Sequence, residues 1–271
     1  MQKMRNLRVY YIGVLCLTLV ATLTRTLSLT LSLDKASGYF KANAALPIIL
    51  VVLLALASVA ILLYPILLRD RVPQSNAGGS NLTTATSILC ALLFLVSFVA
   101  TCMAKGVVAL PTFLWLVGIL SLLAAAIYFL TKTSLCSIGT SGSAVFGSLT
   151  LIALGCLITV TYFDVATPMN APVKIHLHLA LLAMMLCLLY ELRDTVGAPM
   201  PRARTAFTAL AFFLSVTVGV SDIITALAGY TKGFIYLSSD FLLVGLGLYV
   251  ATKGAADLQA LSQTERKTVN K

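Results

Sequence analysis

The sequence predicts an all-α fold, a polytopic transmembrane bundle of about eight helices with both termini in the cytoplasm. Of its 271 residues, 59% are hydrophobic and 10% are charged, whereas about 25% of a typical soluble domain is charged. Eight segments of the chain reach the length of about 20 apolar residues that a helix needs to cross a bilayer. No segment shows the sustained alternation of a membrane β-strand, which argues against a barrel.

The predicted helices are separated by short stretches rich in turn-forming and charged residues. They lie near 9–31, 45–68, 84–104, 108–130, 143–163, 172–190, 206–229 and 234–251. In chain order, the stretches between them read DKASGYFKAN, RDRVPQSNAGGSN, AKG, TKTSLCSIGTSG, DVATPMN, ELRDTVGAPMPRAR and YTKG. We expect residues 1–254 to form a single transmembrane domain and residues 255–271 a short cytoplasmic tail.

A short sequence pattern recurs weakly among these helices. The tripeptide ALP at 45–47 and again at 109–111 ends 17 residues before a tyrosine, Tyr64 or Tyr128. One interpretation is a repeated hairpin that builds two four-helix halves, as in some transporters. The other is that proline commonly starts helices and tyrosine marks membrane interfaces.

Lysine and arginine concentrate in the connections on the N-terminal side of the membrane. With the N-terminus inside, thirteen of them face the cytoplasm and five face outside, which predicts both termini in the cytoplasm. The net charge of +10 then reflects loops facing anionic headgroups, and we expect no nucleic-acid partner. The alternative, a signal peptide over 9–21, conflicts with Leu19 at a position that requires a small residue.

Arg25 lies inside the first predicted helix, about 24 Å past Val9 and therefore in the outer part of the membrane. Its helix face also carries four hydroxyl residues: Thr18, Thr22, Ser28 and Ser32. A lipid-facing stripe would not carry so many polar groups, so we expect this face to point into the bundle. The alternative is that Arg25 snorkels to the outer headgroups.

The seventh helix supplies a counter-ion at the same depth. Asp222 lies 16 residues past Ala206, just as Arg25 lies 16 residues past Val9, and the two helices run in the same direction. Small residues at spacings of three and four share the face of Asp222 and predict close helix packing there: Ser215, Gly219, Ala226 and Gly229. We therefore predict that Asp222 is buried and forms an ion pair with Arg25.

Two further polar residues are predicted at this level. Asp240 lies about 9 Å from the outer start of the eighth helix, and His176 lies on a small-residue face of the sixth with Ala180 and Ala183. Arg25, Asp222, Asp240 and His176 are thus the predicted ligand-binding residues for a small molecule. The cytoplasmic connection 191–204 is a candidate docking site for a protein partner.

Known catalytic and metal-binding motifs are absent. The sequence contains no Walker A, H-E-x-x-H or G-x-S-x-G motif, and its six cysteines form no C-x-x-C pair. His176 and His178 are two residues apart and so do not share a helix face, which argues against a shared metal. We expect no catalytic residue, no metal and no cofactor, and hence no enzyme.

Arg25-Thr26-Leu27, followed by LDKASGYF at 33–40, resembles a group of uncharacterised multi-pass membrane proteins from Gram-positive anaerobic bacteria. These proteins carry an R-T-L run, an aspartate and then G-Y-F just outside the first helix. The resemblance implies a bacterial cytoplasmic membrane, and the group has no known activity.

Two hypotheses for the function follow. The first is a small-solute transporter or permease with its polar site in the outer half of the bundle. The second is a non-catalytic membrane sensor or accessory protein that acts with a partner, in which the same residues bind a ligand or fix packing.

Overall fold

The computed structural model describes residues 2–34, 37–67, 81–104, 111–133, 139–165, 167–168, 170–229 and 233–269, with side chains described between Asn6 and Gln259. Within these residues, eight helices are long and apolar enough to cross a membrane. The protein is therefore an all-α, multi-pass integral membrane protein. The predicted bundle of eight transmembrane helices is confirmed, and the cytoplasmic orientation of the termini stays a prediction.

The helices follow the apolar segments of the sequence closely. They are α1 (Gln2–Leu27, continued by a π-helix at Ser28–Ser32), α2 (Ala45–Leu67), α3 (Asn81–Met103), α4 (Thr112–Thr131), α5 (Thr140–Tyr162), α6 (Pro172–Thr195), α7 (Pro201–Leu227) and α8 (Phe234–Val269). Proline occupies the first turn of α6 and α7, where its missing N–H breaks no helical hydrogen bond.

Two helices extend well beyond their predicted bounds. The first begins at Gln2 and the last continues to Val269, so the described part of the predicted tail is helical. Both extensions are polar. A prediction from hydrophobicity alone therefore starts the first helix too late and ends the last helix too early. They are rich in Ala, Leu, Gln, Lys and Arg, which favour helix formation, and contain no proline.

Six helices form a closed ring in the order α3, α4, α5, α6, α7, α8, with α8 packing back on α3. Helices α1 and α2 pack against each other and against α7 on the outside of this ring. In the described residues the first four helices form no unit of their own, which argues against the two-halves repeat. Helix α7 thus packs against α1, α2, α6 and α8, and its two outer flanks lie between α2 and α6 and between α1 and α8.

Close approach of α7 and α8 holds the ring together beside Asp222. A Cβ atom on Gly219 would lie 2.7 Å from the carbonyl oxygen of Asp240, and one on Gly247 would lie 2.9 Å from the Val216 side chain. The absence of side chains therefore lets the two backbones approach. This supports the small-residue packing face predicted on α7.

We call the end of the bundle that contains Ser32 and Pro172 the distal end, and the opposite end the proximal end. At the distal end the chain turns after α1 through an antiparallel bridge between Leu33 and Phe40. Gly38 has φ +74° in this turn, a conformation that glycine adopts without strain. Tyr39 is 42% exposed beside it, as expected for an aromatic anchor at an interface.

Candidate functional site

Arg25 is completely buried in the distal half of the bundle. Its exposure is 0%, and Thr18, Ser28 and Ser32 on the same face of α1 are also buried. The prediction that this face points inward is confirmed, and Arg25 does not snorkel to the headgroups. The hydroxyls of Thr18, Thr22 and Ser28 donate to carbonyls four residues earlier in α1, so their hydrogens serve the helix itself.

The predicted ion pair between Arg25 and Asp222 forms. Nη1 donates to Oδ1 at 2.7 Å and Nη2 donates to Oδ2 at 3.1 Å, and both side chains are 0% exposed. This two-pronged geometry is the strongest that a guanidinium and a carboxylate make. Because a lone charge in this position would be costly, each member makes the burial of the other tolerable.

Three further groups accept hydrogen bonds from the guanidinium. Nη1 also donates to the Val218 carbonyl at 3.1 Å and to the Ser221 hydroxyl, and Nε donates to Nδ1 of His176 at 3.3 Å. The contact with Nδ1 requires an imidazole whose proton is on Nε2. Arg25 therefore ties α1 to both α7 and α6, and most of its donors are already used.

Helix α1 becomes irregular immediately after Arg25. Residues Ser28–Ser32 form a π-helix, with Ser28, Leu29 and Ser32 buried. Short π-helical stretches inside an α-helix are rare and occur frequently at functional sites. The irregularity is one that the sequence did not indicate, since no Gly or Pro interrupts this stretch.

Asp240 is buried at 1% exposure on α8, beside Gly219 and thus one turn from Asp222. It is not one of the groups to which Arg25 donates in the described part of the chain. The structure therefore brings together Arg25, Asp222 and His176, and places Asp240 next to them on the neighbouring helix. Ser221 and the Val218 carbonyl complete the site. The sequence analysis did not include Ser221, although its position next to Asp222 could have indicated it.

Lys174 is a buried cation near this site that the sequence interpretation missed. Its ammonium group donates to the carbonyl of Tyr162 at the end of α5, at 3.1 Å, and to two carbonyls of the following connection, Asp164 at 2.9 Å and Thr167 at 3.0 Å. Three donors thus meet three acceptors at 1% exposure. Lys174 fixes the α5–α6 connection, whereas the sequence analysis counted it only as one of the five basic residues on the outer side of the membrane.

A second buried polar cluster lies at the proximal end around Glu191, which is 8% exposed. Its carboxylate accepts hydrogen bonds from Tyr249 at 2.9 Å and Tyr128 at 3.3 Å. It also pairs with Lys253 at 2.8 Å and Lys132 at 3.3 Å. Glu191 therefore links α4, α6 and α8 from within the predicted docking segment.

Arg204, at the other end of that segment, pairs with Asp194 at 2.6 Å and also with Asp257 of α8. The exposed parts of the segment are residues 196–200 and Arg202. Docking of a protein partner at 191–204 stays a prediction, and the exposed stretch is where such a partner would make contact.

No family model matches this chain, and the comparison with curated proteins and with solved structures likewise gives no match. Within the described residues, no group of three His, Cys, Asp or Glu side chains is positioned to hold a metal ion. The chemistry available at Arg25 is that of a buried guanidinium paired with a buried carboxylate.

Proposed function

We propose that this protein is a small-solute transporter or permease whose substrate carries an anionic group that binds Arg25. The observation that carries the proposal is the completely buried ion pair of Arg25 and Asp222 beside a π-helical segment. Ionisable residues inside transmembrane bundles are costly and commonly mark substrate pathways. Asp222 is the resting counter-ion in this scheme.

Substrate binding proceeds by exchange of carboxylates on the guanidinium. A substrate carboxylate or phosphate can reproduce the two contacts that Asp222 makes, at 2.7 and 3.1 Å, because a guanidinium binds such groups with two parallel hydrogen bonds. Two anions beside one arginine in a low-dielectric core would repel each other. Asp222 therefore takes up a proton or moves away when the substrate binds.

The π-helix supplies the flexibility for this exchange. A π-helical turn is rare inside an α-helix and frequent at functional sites, and this one begins three residues after Arg25. A local return to α-helical geometry would rotate the end of α1 and with it the guanidinium. Access from the distal end would then alternate with a closed state.

The second candidate is a non-catalytic sensor or accessory protein, and one observation favours it. Arg25 already donates to Asp222, Ser221, His176 and the Val218 carbonyl, so the site is closed around it. Under this hypothesis the cluster fixes the packing of α1, α6 and α7. Signal transfer then requires a partner, at residues 196–200.

The first test of the transporter proposal is how a panel of small anions affects detergent-solubilised protein. The panel contains mono- and dicarboxylates, phosphate monoesters and sulfonates, each tested with its neutral amide or alcohol as control. For a transporter we expect at least one anion to raise the melting temperature, with roughly tenfold tighter apparent binding to Asp222→Asn, in which no carboxylate has to be displaced. The double variant Arg25→Gln/Asp222→Asn should not respond.

The best anion is then offered to proteoliposomes. Uptake by wild-type protein that is absent in the double variant supports transport. Equal thermal shifts in the wild type, Asp222→Asn and the double variant would place the binding elsewhere and remove the transporter proposal. Arg8→Gln, at an exposed arginine of the proximal end, is the control for general effects of charge.

We also propose that the protein lies in a bacterial cytoplasmic membrane with both termini inside. The distribution of lysine and arginine supports this orientation, and the R-T-L…D-x-x-x-G-Y-F resemblance supports the membrane. The distal end, with the Arg25 site, then faces outward.

A further inference from the structure

An open groove runs along the outside of α7 between α2 and α6. Its volume is about 470 Å³, within the range of about 300–1,000 Å³ that is typical of ligand pockets. Helices α2 and α6 each pack on α7, so residues of α7 form the floor of the groove. Since all three helices span the membrane, the groove opens sideways into the lipid.

The lining of the groove is apolar except at two positions. Among the described residues, every side chain in it is aliphatic apart from His176 and Ser58. Leu54 and Leu210 are typical wall residues, and Ala55 and Ala183 make room between them. Such a surface suits a hydrocarbon chain and offers nothing to a charged solute.

His176 provides a polar contact at the distal end of this groove. It is 8% exposed, and its Nδ1 accepts from Arg25, so the neutral ring carries its proton on Nε2. In the described part of the chain this N–H donates to no protein acceptor, although the residue lines the groove. Nε2 is not among the fully buried side-chain atoms that lack a partner, so its N–H reaches the surface of the groove. A donor that faces hydrocarbon without an acceptor costs free energy, which favours an acceptor supplied by the lipid.

The length of the groove matches one leaflet. From His176 to Leu186, ten residues of α6, the groove extends about 15 Å at 1.5 Å per residue. This is half of a hydrocarbon core about 30 Å thick. His176 lies four residues from Pro172, the start of α6, and hence at the level where lipid chains join their polar groups.

We propose that the groove binds one acyl chain of a bilayer glycerolipid, whose ester carbonyl accepts a hydrogen bond from His176 Nε2. The chain fills the groove from the distal end to the middle of the membrane. Because the same ring accepts from Arg25 through Nδ1, the bound carbonyl favours the tautomer that Arg25 requires. The lipid is thereby connected to the buried ion pair through one imidazole, independently of whether the protein transports an anion.

Paired lipids that differ only in this carbonyl test the proposal. Dioleoyl phosphatidylglycerol has ester carbonyls, whereas its diether analogue has the same headgroup and matched chains without them. Delipidated protein is titrated with each lipid and the bound lipid is counted by native mass spectrometry. We expect the ester lipid to bind on the order of 2- to 10-fold more tightly, the effect of one net hydrogen bond.

Two groove variants separate the carbonyl contact from the chain contact. In His176→Phe the preference for the ester lipid should vanish, while His178→Phe, whose imidazole instead contacts Thr161 on α5, should keep it. In Ala55→Phe the added ring narrows the groove, so both lipids should bind several-fold more weakly. Ala60→Phe adds the same ring to an exposed position of α2 outside the groove and should bind like the wild type.

Equal binding of ester and ether lipid by the wild type would overturn the hydrogen bond to His176. Equal lipid affinities of Ala55→Phe and Ala60→Phe would show that the lipid does not bind in the groove. This result can be obtained even if His176→Phe does not fold. A delipidated dimer that Ala55→Phe dissociates would show that a second copy covers the groove, which also contradicts the proposal. None of these outcomes depends on the response to soluble anions.

Discussion

The stability of the Arg25–Asp222 pair can be measured by neutralising its members singly and together. Arg25→Gln removes two contacts to Asp222, at 2.7 and 3.1 Å, and leaves a carboxylate at 0% exposure without its guanidinium. Removal of one member of a buried pair typically costs about 3–5 kcal/mol. We expect a loss of that size for Arg25→Gln and a similar one for Asp222→Asn.

The double variant Arg25→Gln/Asp222→Asn should be less damaged than the two single variants imply. Its two amides are neutral and can hydrogen-bond to each other, and a buried pair can often be replaced by neutral groups at little cost. If the single losses were additive they would sum to about 6–10 kcal/mol. We expect the measured loss in the double variant to be at least about 2 kcal/mol below that sum.

The assay is unfolding by sodium dodecyl sulfate in mixed micelles. Helix content is followed by circular dichroism and the α3–α4 contact by the fluorescence of Trp115, the single tryptophan of the chain, whose indole donates to the Thr101 carbonyl. Coincident transitions justify a two-state treatment. Arg8→Gln, at an exposed position, should change the free energy of unfolding by less than about 0.5 kcal/mol. Additive single losses, or single losses below about 1 kcal/mol, would refute the buried pair as described.

Four further predictions use the same protein. Glu191→Gln should lower the free energy of unfolding by about 3 kcal/mol, because two lysines lose their buried counter-charge; a loss below about 1 kcal/mol contradicts this. Lys174→Met should speed proteolysis of the α5–α6 connection, since three carbonyls lose their donor, and unchanged cleavage would speak against the clamp. Gly219→Ala should destabilise by about 1–3 kcal/mol through the clash with α8, whereas Gly13→Ala, which meets open space, should be neutral or stabilising by up to about 1 kcal/mol. A cysteine at Tyr39 should react with an impermeant maleimide in intact cells, and protection there would reverse the predicted orientation.

The number of helices and their approximate positions could be predicted because crossing a bilayer requires a long uninterrupted apolar run. The inward face of α1 could also be predicted, since hydroxyls beside Arg25 recur with helical spacing. The polar ends of α1 and α8 could not be found by hydrophobicity, because these residues are helical without being apolar. The helix-favouring residues in those stretches could have indicated these extensions. A search for long apolar runs does not detect them.

The members of the candidate site could be predicted better than their contacts. Depth along each helix follows from residue counting, so Arg25 and Asp222 could be placed at one level from sequence. Asp240 was predicted at the same depth in the membrane. Its helix, α8, packs on a different side of α7 from α1, which carries Arg25. Depth along a helix does not determine which side of a neighbouring helix it packs on. Glutamate and lysine are common near the ends of transmembrane helices, so the residue types at Glu191 and Lys174 did not indicate burial. Only the packing of the neighbouring helices buries both side chains.

The sequence by itself determined that this protein lies in a lipid bilayer. It also determined the number of transmembrane helices and the depth of each charged residue within the membrane. These properties follow from local composition and from the fixed rise of a helix. The tertiary structure decided which charges meet, because contacts between helices far apart in the chain depend on their order around the ring. It also decided that α1 and α2 lie outside that ring, which creates the groove at His176. A groove exists only between packed helices, so no single stretch of sequence could have indicated it.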